Sequence, residues 1–327
     1  MIFSFSATRD FDFLTQFARH IQMPIDNNLM MMPETLGEGY IRRLLFGPDF
    51  KITLHRYKLK EDLIIKRNSF EGGNDLLTIF FYNNEQSLEI DFNDKPRVMF
   101  SQRDDSAIQV TSNDLSSTIR FPAHHQIHYA VIGVMVPRLK ELLALHQPNS
   151  ILETITTSGN SFLFFESMTA ETKLLLKNIA TVNMADGLSH FYMQIKVQEL
   201  LYLLFHKLSS RESATHQSIN SADAERLLYI RNEIVSDLSV PPVLPELARI
   251  AAMSETKLKQ LFKQTFGNTI YNYYQQARMD EAAFLLKQGT HSVAEVGYEL
   301  GFTNLSHFSR LFEKYYGLSP KRFSYSS

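Results

Sequence analysis

The stretch VAEVGYELGFTNLSHFSRLFEKYYGLSPKRF, Val293–Phe323, has a counterpart about fifty residues earlier in LPELARIAAMSETKLKQLFKQTFG, Leu244–Gly267. Leu244, Leu247, Ala248 and Ala251 match Val293, Val296, Gly297 and Leu300 at one constant offset. Ser254, Leu258, Leu261, Phe262 and Gly267 match Asn304, Phe308, Leu311, Phe312 and Gly317 at an offset one residue longer. One residue has therefore been inserted in the turn. Within each copy the apolar spacing is helical, Ser254 reads as an N-cap and Gly267 as a stop, so each copy predicts a short helix, a tight turn and a longer helix.

A helix-turn-helix needs a small residue where its helices cross, a short connection, and apolar residues on the inner face of the second helix, which frees the outer face for the major groove. Both copies meet these requirements. Between them Ile270–Gln288 reads as one continuous helix, with Ile270, Tyr274, Ala277, Ala282 and Leu285 spaced for burial and Gly289 as its stop. At 1.5 Å per residue this connector is roughly 28 Å long, near the roughly 34 Å between successive major-groove faces of B-DNA. Two recognition helices on one rod can therefore read adjacent grooves of one duplex.

These residues resemble the DNA-binding domain of the AraC/XylS family of bacterial transcription regulators. The resemblance rests on the Gly301-Phe302 pair, the run Ser306-His307-Phe308-Ser309-Arg310, and Leu318-Ser319-Pro320 followed by Phe323. It covers about a third of the chain, from near Ala222 to Phe323. Geometry nominates the outward residues as DNA contacts: Thr256, Lys257, Lys259, Gln260 and Lys263 on the first recognition helix, and Leu305, Ser306, Ser309 and Arg310 on the second. Gln260 suits an adenine edge, Lys259 or Arg310 a guanine edge, and Leu305 a thymine methyl, while a phosphate clamp is the other role open to Arg310. In the family the matching positions contact bases, and the first helix usually carries more of the specificity. The resemblance implies promoter DNA and RNA polymerase as partners, and an activator.

Charge alone does not advertise such a partner. The chain of 327 residues carries a formal charge of −2, and residues 222–327 hold 12 Lys+Arg against 11 Asp+Glu. Placement matters more, because Lys257, Lys259 and Lys263 cluster on one helix face with only Glu255 opposed. With 44% hydrophobic residues the chain is long enough for two domains. No apolar run reaches about 18 residues, and MIFSFSATRDFDF lacks the basic flank and apolar core of a secretion signal, so the expected location is cytoplasmic with no membrane partner. With no cysteine the chain has no disulfide framework, thiolate zinc site or cysteine nucleophile.

Before Pro137 short apolar stretches alternate with turn chemistry at roughly ten-residue spacing. Predicted strands are Gly39–Phe46, Phe50–Leu59, Leu76–Phe81, Ser87–Phe92, Arg97–Ser101, Ala107–Val110, and Thr118 running into Tyr129–Val136. Alternation is clearest in Leu88, Ile90 and Phe92 against Glu89 and Asp91. The fold class expected is therefore two domains: an N-terminal α+β unit, an antiparallel β-barrel or sandwich followed by helices, and an all-α C-terminal unit with two helix-turn-helix motifs joined by a long helix. The barrel fits the cupin-like effector domain common in the resembled family, and GEGYIRRLLFGPDFKI, Gly37–Ile52, is similar to the start of the sensor in its siderophore-responsive members.

Helical spacing returns at Pro137–His146, Thr169–Asn183 and Ser189–Leu208. The apolar arc of the last helix is wider than one small barrel face requires. It serves packing under the barrel, a homodimer interface through Ile195, Leu201, Leu204 and Leu208, or both. Polar Ser209–Ser221 reads as a linker, giving a sensor and dimerisation domain 1–208, a linker 209–221 and a DNA-binding domain 222–327.

His124, His125 and His128 suggest a metal site, but on a strand His125 points away from the other two and no carboxylate completes the set, so they are expected to be structural or surface residues, with no metal and no cofactor. Gly37-Glu38-Gly39 is a glycine pair with no helix after it, hence a turn and not a nucleotide loop. Two functions remain open. One is a regulator whose N-terminal domain binds a small-molecule effector, dimerises, or both. The other fuses the DNA-binding module to a catalytically active cupin-type enzyme, which would need converging histidines and a carboxylate that do not assemble from this sequence. A non-enzyme is expected.

Overall fold

In a computed structural model the chain is described over residues 1–8, 11–69, 75–84, 88–90, 98–100, 107–184, 186–211 and 217–325. Its internal contacts divide it into two units, Met1–Glu225 and Arg226–Ser327. The first is β-rich and the second is helical.

The N-terminal unit runs β1 (Ile2–Ser6), α1 (Phe13–His20), β2 (Leu29–Met31), β3 (Gly37–Leu45), β4 (Phe50–Leu59), β5 (Leu63–Asn68), β6 (Leu76–Tyr82), β7 (Leu88–Ile90), β8 (Val98–Phe100), β9 (Ile108–Ser112), β10 (Ser117–Phe121) and β11 (Gln126–Met135), then α2 (Val136–Leu143), α3 (Ser150–Thr156), β12 (Leu163–Glu166), α4 (Ala170–Thr181) and α5 (Ser189–Ser209). Seven strands form one sheet in the order β12-β9-β6-β11-β4-β3-β2, with antiparallel pairing. A second sheet, β1-β5-β10, pairs β1 parallel and β10 antiparallel to β5. β7 and β8 pair with each other.

Period-2 alternation gives the large sheet two different faces. Phe50, Ile52 and Leu54 of β4, with Ala130, Ile132 and Val134 of β11, belong to one core cluster with Val197, Leu200, Leu201, Leu204 and Leu208 of α5. The intervening Lys51, Thr53 and His55, opposite Gly133, Val131 and Tyr129 in register, line a cavity together with Ile65 and Arg67 of β5 and Ile119 and Phe121 of β10. Each buried leucine of α5 contributes roughly 1.5 to 3 kcal/mol toward holding the helix on the sheet. That burial corrects the expected dimer face. Leu201, Leu204 and Leu208 are buried within their own unit and are not available to a second copy, whereas Ile195 is exposed.

Two further expectations change. Gly37-Glu38-Gly39 opens β3 and is not a turn. A Cβ built on Gly39, at φ +110°, would lie 2.3 Å from the Arg56 carbonyl oxygen, so glycine there lets β3 approach β4. His124 is not on a strand: it takes φ +62° between β10 and β11, His125 beside it is exposed, and only His128 lies on β11. Among the described residues no group of three or more His, Cys, Asp or Glu is arranged to hold a metal. Phe92, Asp91 and the ends of the strands expected at Ser87–Phe92 and Arg97–Ser101 lie outside the described residues. Within the stretch expected as a linker, Ile219 is buried, its N–H donates to the Ser161 carbonyl, and the Ser221 hydroxyl accepts from Ser116 N.

The C-terminal unit takes up most of α6 (Ser221–Ser236), followed by α7 (Leu244–Ala251), α8 (Glu255–Phe266), α9 (Ile270–Gln288), α10 (Val293–Glu299), α11 (Leu305–Tyr316) and α12 (Pro320–Tyr325). The N-terminus of each longer helix is closed by the residue its sequence offers: Ser254 accepts from Lys257 N, Thr269 from Asn272 N, and Asn304 from Ser306 N and His307 N. Ser292 and Glu295 form a capping box on α10, and these hydrogen bonds hold the Glu295 carboxyl below its usual range. α9 is buried around much of its circumference, with Tyr273, Arg278 and Met279 inside as well as the expected Ile270, Tyr274, Ala282 and Leu285, because the helices of both motifs pack on it.

Candidate nucleic-acid interface

In the first motif Leu247, Ala248 and Ala251 of α7 and Leu258, Leu261 and Phe262 of α8 are buried. That inner stripe turns Thr256, Lys257, Lys259 and Gln260 outward, where they are exposed, with Lys263 half-buried at the next turn. Lys259 lies 3.9 Å from Glu255, an exposed i,i+4 pair of small energetic weight that leaves the ammonium available to phosphate. In the second motif Phe308 and Phe312 are the buried stripe of α11. Ser306 and Arg310 are exposed, and Leu305 and Ser309 are half-buried. Arg310 Nε donates to the Ser306 carbonyl at 3.3 Å, so the side chain lies back along its own helix and has to swing out to reach a base. The fold thus brings the nominated residues onto the outer faces of α8 and α11 except Leu305, whose side chain packs toward Gly297 of α10.

The residues between the helices explain the sequence signature. A Cβ on Gly297 would meet Leu305 Cδ2 at 2.6 Å, so α10 and α11 cross at a distance only glycine fits without a shift. Phe302 is buried, 5.2 Å from the Phe308 ring, and the Arg278 guanidinium sits 3.8 Å from the Phe302 ring centroid while donating to the Leu300 carbonyl. The central helix therefore clamps the turn of the second motif through one cation-π contact and one charged hydrogen bond. Burial pulls the Arg278 guanidinium below its ordinary value. The sequence reading passed over His307, which is exposed at the N-terminal end of α11 and stands three residues before Arg310.

A family profile described as a helix-turn-helix domain matches residues 247–325. The C-terminal unit is a DNA-binding domain of the AraC type. An HTH-type transcriptional regulator of Haemophilus influenzae is 30% identical over 127 residues, 38% of this chain and 41% of that protein. The HTH-type transcriptional activator RhaR of Escherichia coli is 28% identical over 138 residues, 42% of this chain and 49% of that protein. The chain thus spans under half the length of these two relatives. Among solved structures, unsaturated-fatty-acid-bound ToxT from Vibrio cholerae is 14% identical across 85% of this chain and 96% of that one at a TM-score of 0.32, a likeness that bears on neither fold nor ligand. No helix among the described residues is long and apolar enough to cross a membrane.

The cavity between the two sheets is a second candidate site. His55 lies inside it, stacked 4.1 Å from Tyr129, and burial pulls its imidazole down to about 3. The unfolded chain takes up a proton near pH 6.5 that the folded chain refuses. Stability from this residue is therefore complete above pH 6.5 and declines as the pH falls toward 3. Linkage gives a loss of about 2 kcal/mol between pH 6.5 and 5. Urea midpoints at pH 7 and pH 5 should fall further for the parent than for His55→Phe, and equal falls would contradict the assignment.

Proposed function

We propose that the chain is a sequence-specific transcription regulator, acting as an activator, in which the N-terminal unit senses a small molecule and pairs with a second copy while the C-terminal unit occupies promoter DNA in reach of RNA polymerase. The observation that carries this reading is the pair of capped helices, α8 and α11, each with a buried apolar stripe and an outward polar face, packed on the one helix α9. RhaR of Escherichia coli, similar to this chain over 138 residues, is an HTH-type transcriptional activator, which supports activation. No enzyme chemistry is part of this reading, which follows the relatives' description as transcriptional regulators. The pairing surface proposed is the outer face of α5, where Leu188, Phe191, Ile195 and Tyr202 are exposed at helical spacing.

The test is readout by substitution. Gln260→Ala and Arg310→Ala should relax preference at particular base pairs by about 1 to 3 kcal/mol, while Lys263→Ala should weaken all sequences alike and lower the salt slope. Binding-site selection on the parent and the three variants distinguishes these outcomes. Identical preferred sequences in all four would remove Gln260 and Arg310 from base readout, and no sequence enrichment by the parent would overturn the function.

A further inference from the structure

Arg67 sits third on the inner face of β5, after Leu63 and Ile65, where period-2 alternation delivers it to the cavity between the sheets. It is 5% exposed. Its Nη2 makes one long hydrogen bond, 3.4 Å, to Thr111 Oγ1, while Nε and Nη1 have no protein partner. Asp114 is the nearest carboxylate influence. It accepts from the hydroxyls of Ser112 and Ser161 and makes no ion pair with Arg67 among the described residues. Burial lowers the guanidinium only to about 10, so it remains charged at neutral pH.

The other cation of the cavity is already claimed. Lys51 Nζ lies 3.5 Å from Asp12 and donates to the Phe11 carbonyl. Around Arg67 the walls are apolar and largely aromatic: Phe5, Ile65, Phe80, Ile119, Phe121 and Tyr129. An unpaired buried charge costs several kcal/mol unless something compensates it, and an apolar wall favours an apolar body. A carboxylate is the planar acceptor that matches a guanidinium. The cavity measures about 90 Å³, less than the roughly 150 Å³ of an apolar cavity that admits benzene. Its occupant is thus smaller than an aromatic ring with a substituent, a chain of a few carbons.

We propose that the inter-sheet cavity binds a small apolar monocarboxylate, a short-chain acid, with Arg67 taking the carboxylate and the aromatic walls taking the body. Occupancy then compensates a charge that has no carboxylate paired with it among the described residues, and the N-terminal unit is stabilised by mass action. This deepens the sensor reading of that unit and rests on it. The binding measurement uses no DNA, so its failure leaves the DNA-binding reading standing.

The chain contains no tryptophan, so Phe80→Trp in the full-length protein places a single fluorophore on the cavity wall. Sodium propionate and sodium butyrate should each change its emission saturably and raise the melting temperature, and propanol and butanol should do neither. Adding Arg67→Met should weaken butyrate at least tenfold while leaving the unliganded melting temperature equal or higher, because the unpaired charge is gone. Arg67→Lys, which keeps a cation in place, should preserve the preference for acid over alcohol. Equal responses to acid and alcohol, a response to sodium oleate alone, no response to any acid, or undiminished butyrate binding in Arg67→Met would each overturn the proposal. Should Arg67→Met fail to fold, loss of acid preference in folded Arg67→Lys would overturn it as well.

Discussion

Gly301→Ala should destabilise the C-terminal unit by about 3 kcal/mol, an effect far larger than its single methyl group suggests. Gly301 takes φ +75° in the turn of the second motif, and a Cβ there would lie 2.0 Å from the carbonyl oxygen of Ser239. The first motif supplies an internal control. Ala252, the counterpart of Gly301, takes φ +50° and is exposed, so a left-handed alanine at this point of the motif is tolerated when nothing stands over it. Conformation alone accounts for about 1 to 2 kcal/mol, and the rest comes from backbone that cannot rotate out of the way as a side chain can. Gly297→Ala should be milder, about 1 kcal/mol, because the atom it meets is the movable end of Leu305. For a unit of about 100 residues the larger change lowers the melting temperature by more than about 10 °C. Denaturant unfolding of the two variants checks this. A Gly301→Ala protein within about 1 kcal/mol of the parent would mean that the Ser239 segment yields, and the turn would then not be the rigid element the packing suggests.

The C-terminal unit was legible in the sequence because its rules are local. Caps at Ser254 and Asn304, stops at Gly267 and Gly317, and stripes at Leu258, Leu261, Phe262 and Phe308, Phe312 lie within a few residues of the groups they satisfy. In the N-terminal unit β4 was placed residue for residue, since Phe50–Leu59 alternates between turn signals, and α5 was found within a residue of its end. Other elements left no such mark. β5 is six residues, LIIKRN, with charge at one outer position, Lys66, and one inner position, Arg67, and β1 and β12 have no alternation long enough to separate them from loop. Both faces of β4 are buried, so periodicity alone could not say which packs on α5 and which lines the cavity. Arg67 did carry a signal, a cation on the same face as Leu63 and Ile65, but its meaning required knowing that β10 and β4 close over it. The wide arc of α5 was read correctly as excess over one packing face and wrongly divided. Leu201, Leu204 and Leu208 point to the sheet, and the excess is elsewhere on the helix.

That excess gives the second large expected effect. Leu188, Phe191, Ile195 and Tyr202 are 71%, 62%, 44% and 62% exposed, and their steps of three, four and seven residues follow one stripe along the outside of α5. Four large apolar groups aligned in water favour association with the same stripe of a second copy, which a two-fold axis makes self-complementary. Pairing the N-terminal units joins two DNA-binding units, so binding at the second of two adjacent sites becomes intramolecular. The full chain should then bind paired sites about 10² tighter than a single site, roughly 2.7 kcal/mol, with no new DNA contact. Phe191→Glu combined with Tyr202→Glu should leave the fold intact, because both side chains already face solvent, and should abolish this gain while single-site affinity holds. Leu204→Glu, by contrast, buries a charge in the core and should unfold the unit, which separates the interface from the packing face. Sedimentation and paired-site titration decide the matter. If the double variant stays as dimeric as the parent the seam lies elsewhere, and if the parent sediments as a monomer at micromolar concentration, pairing through α5 is wrong.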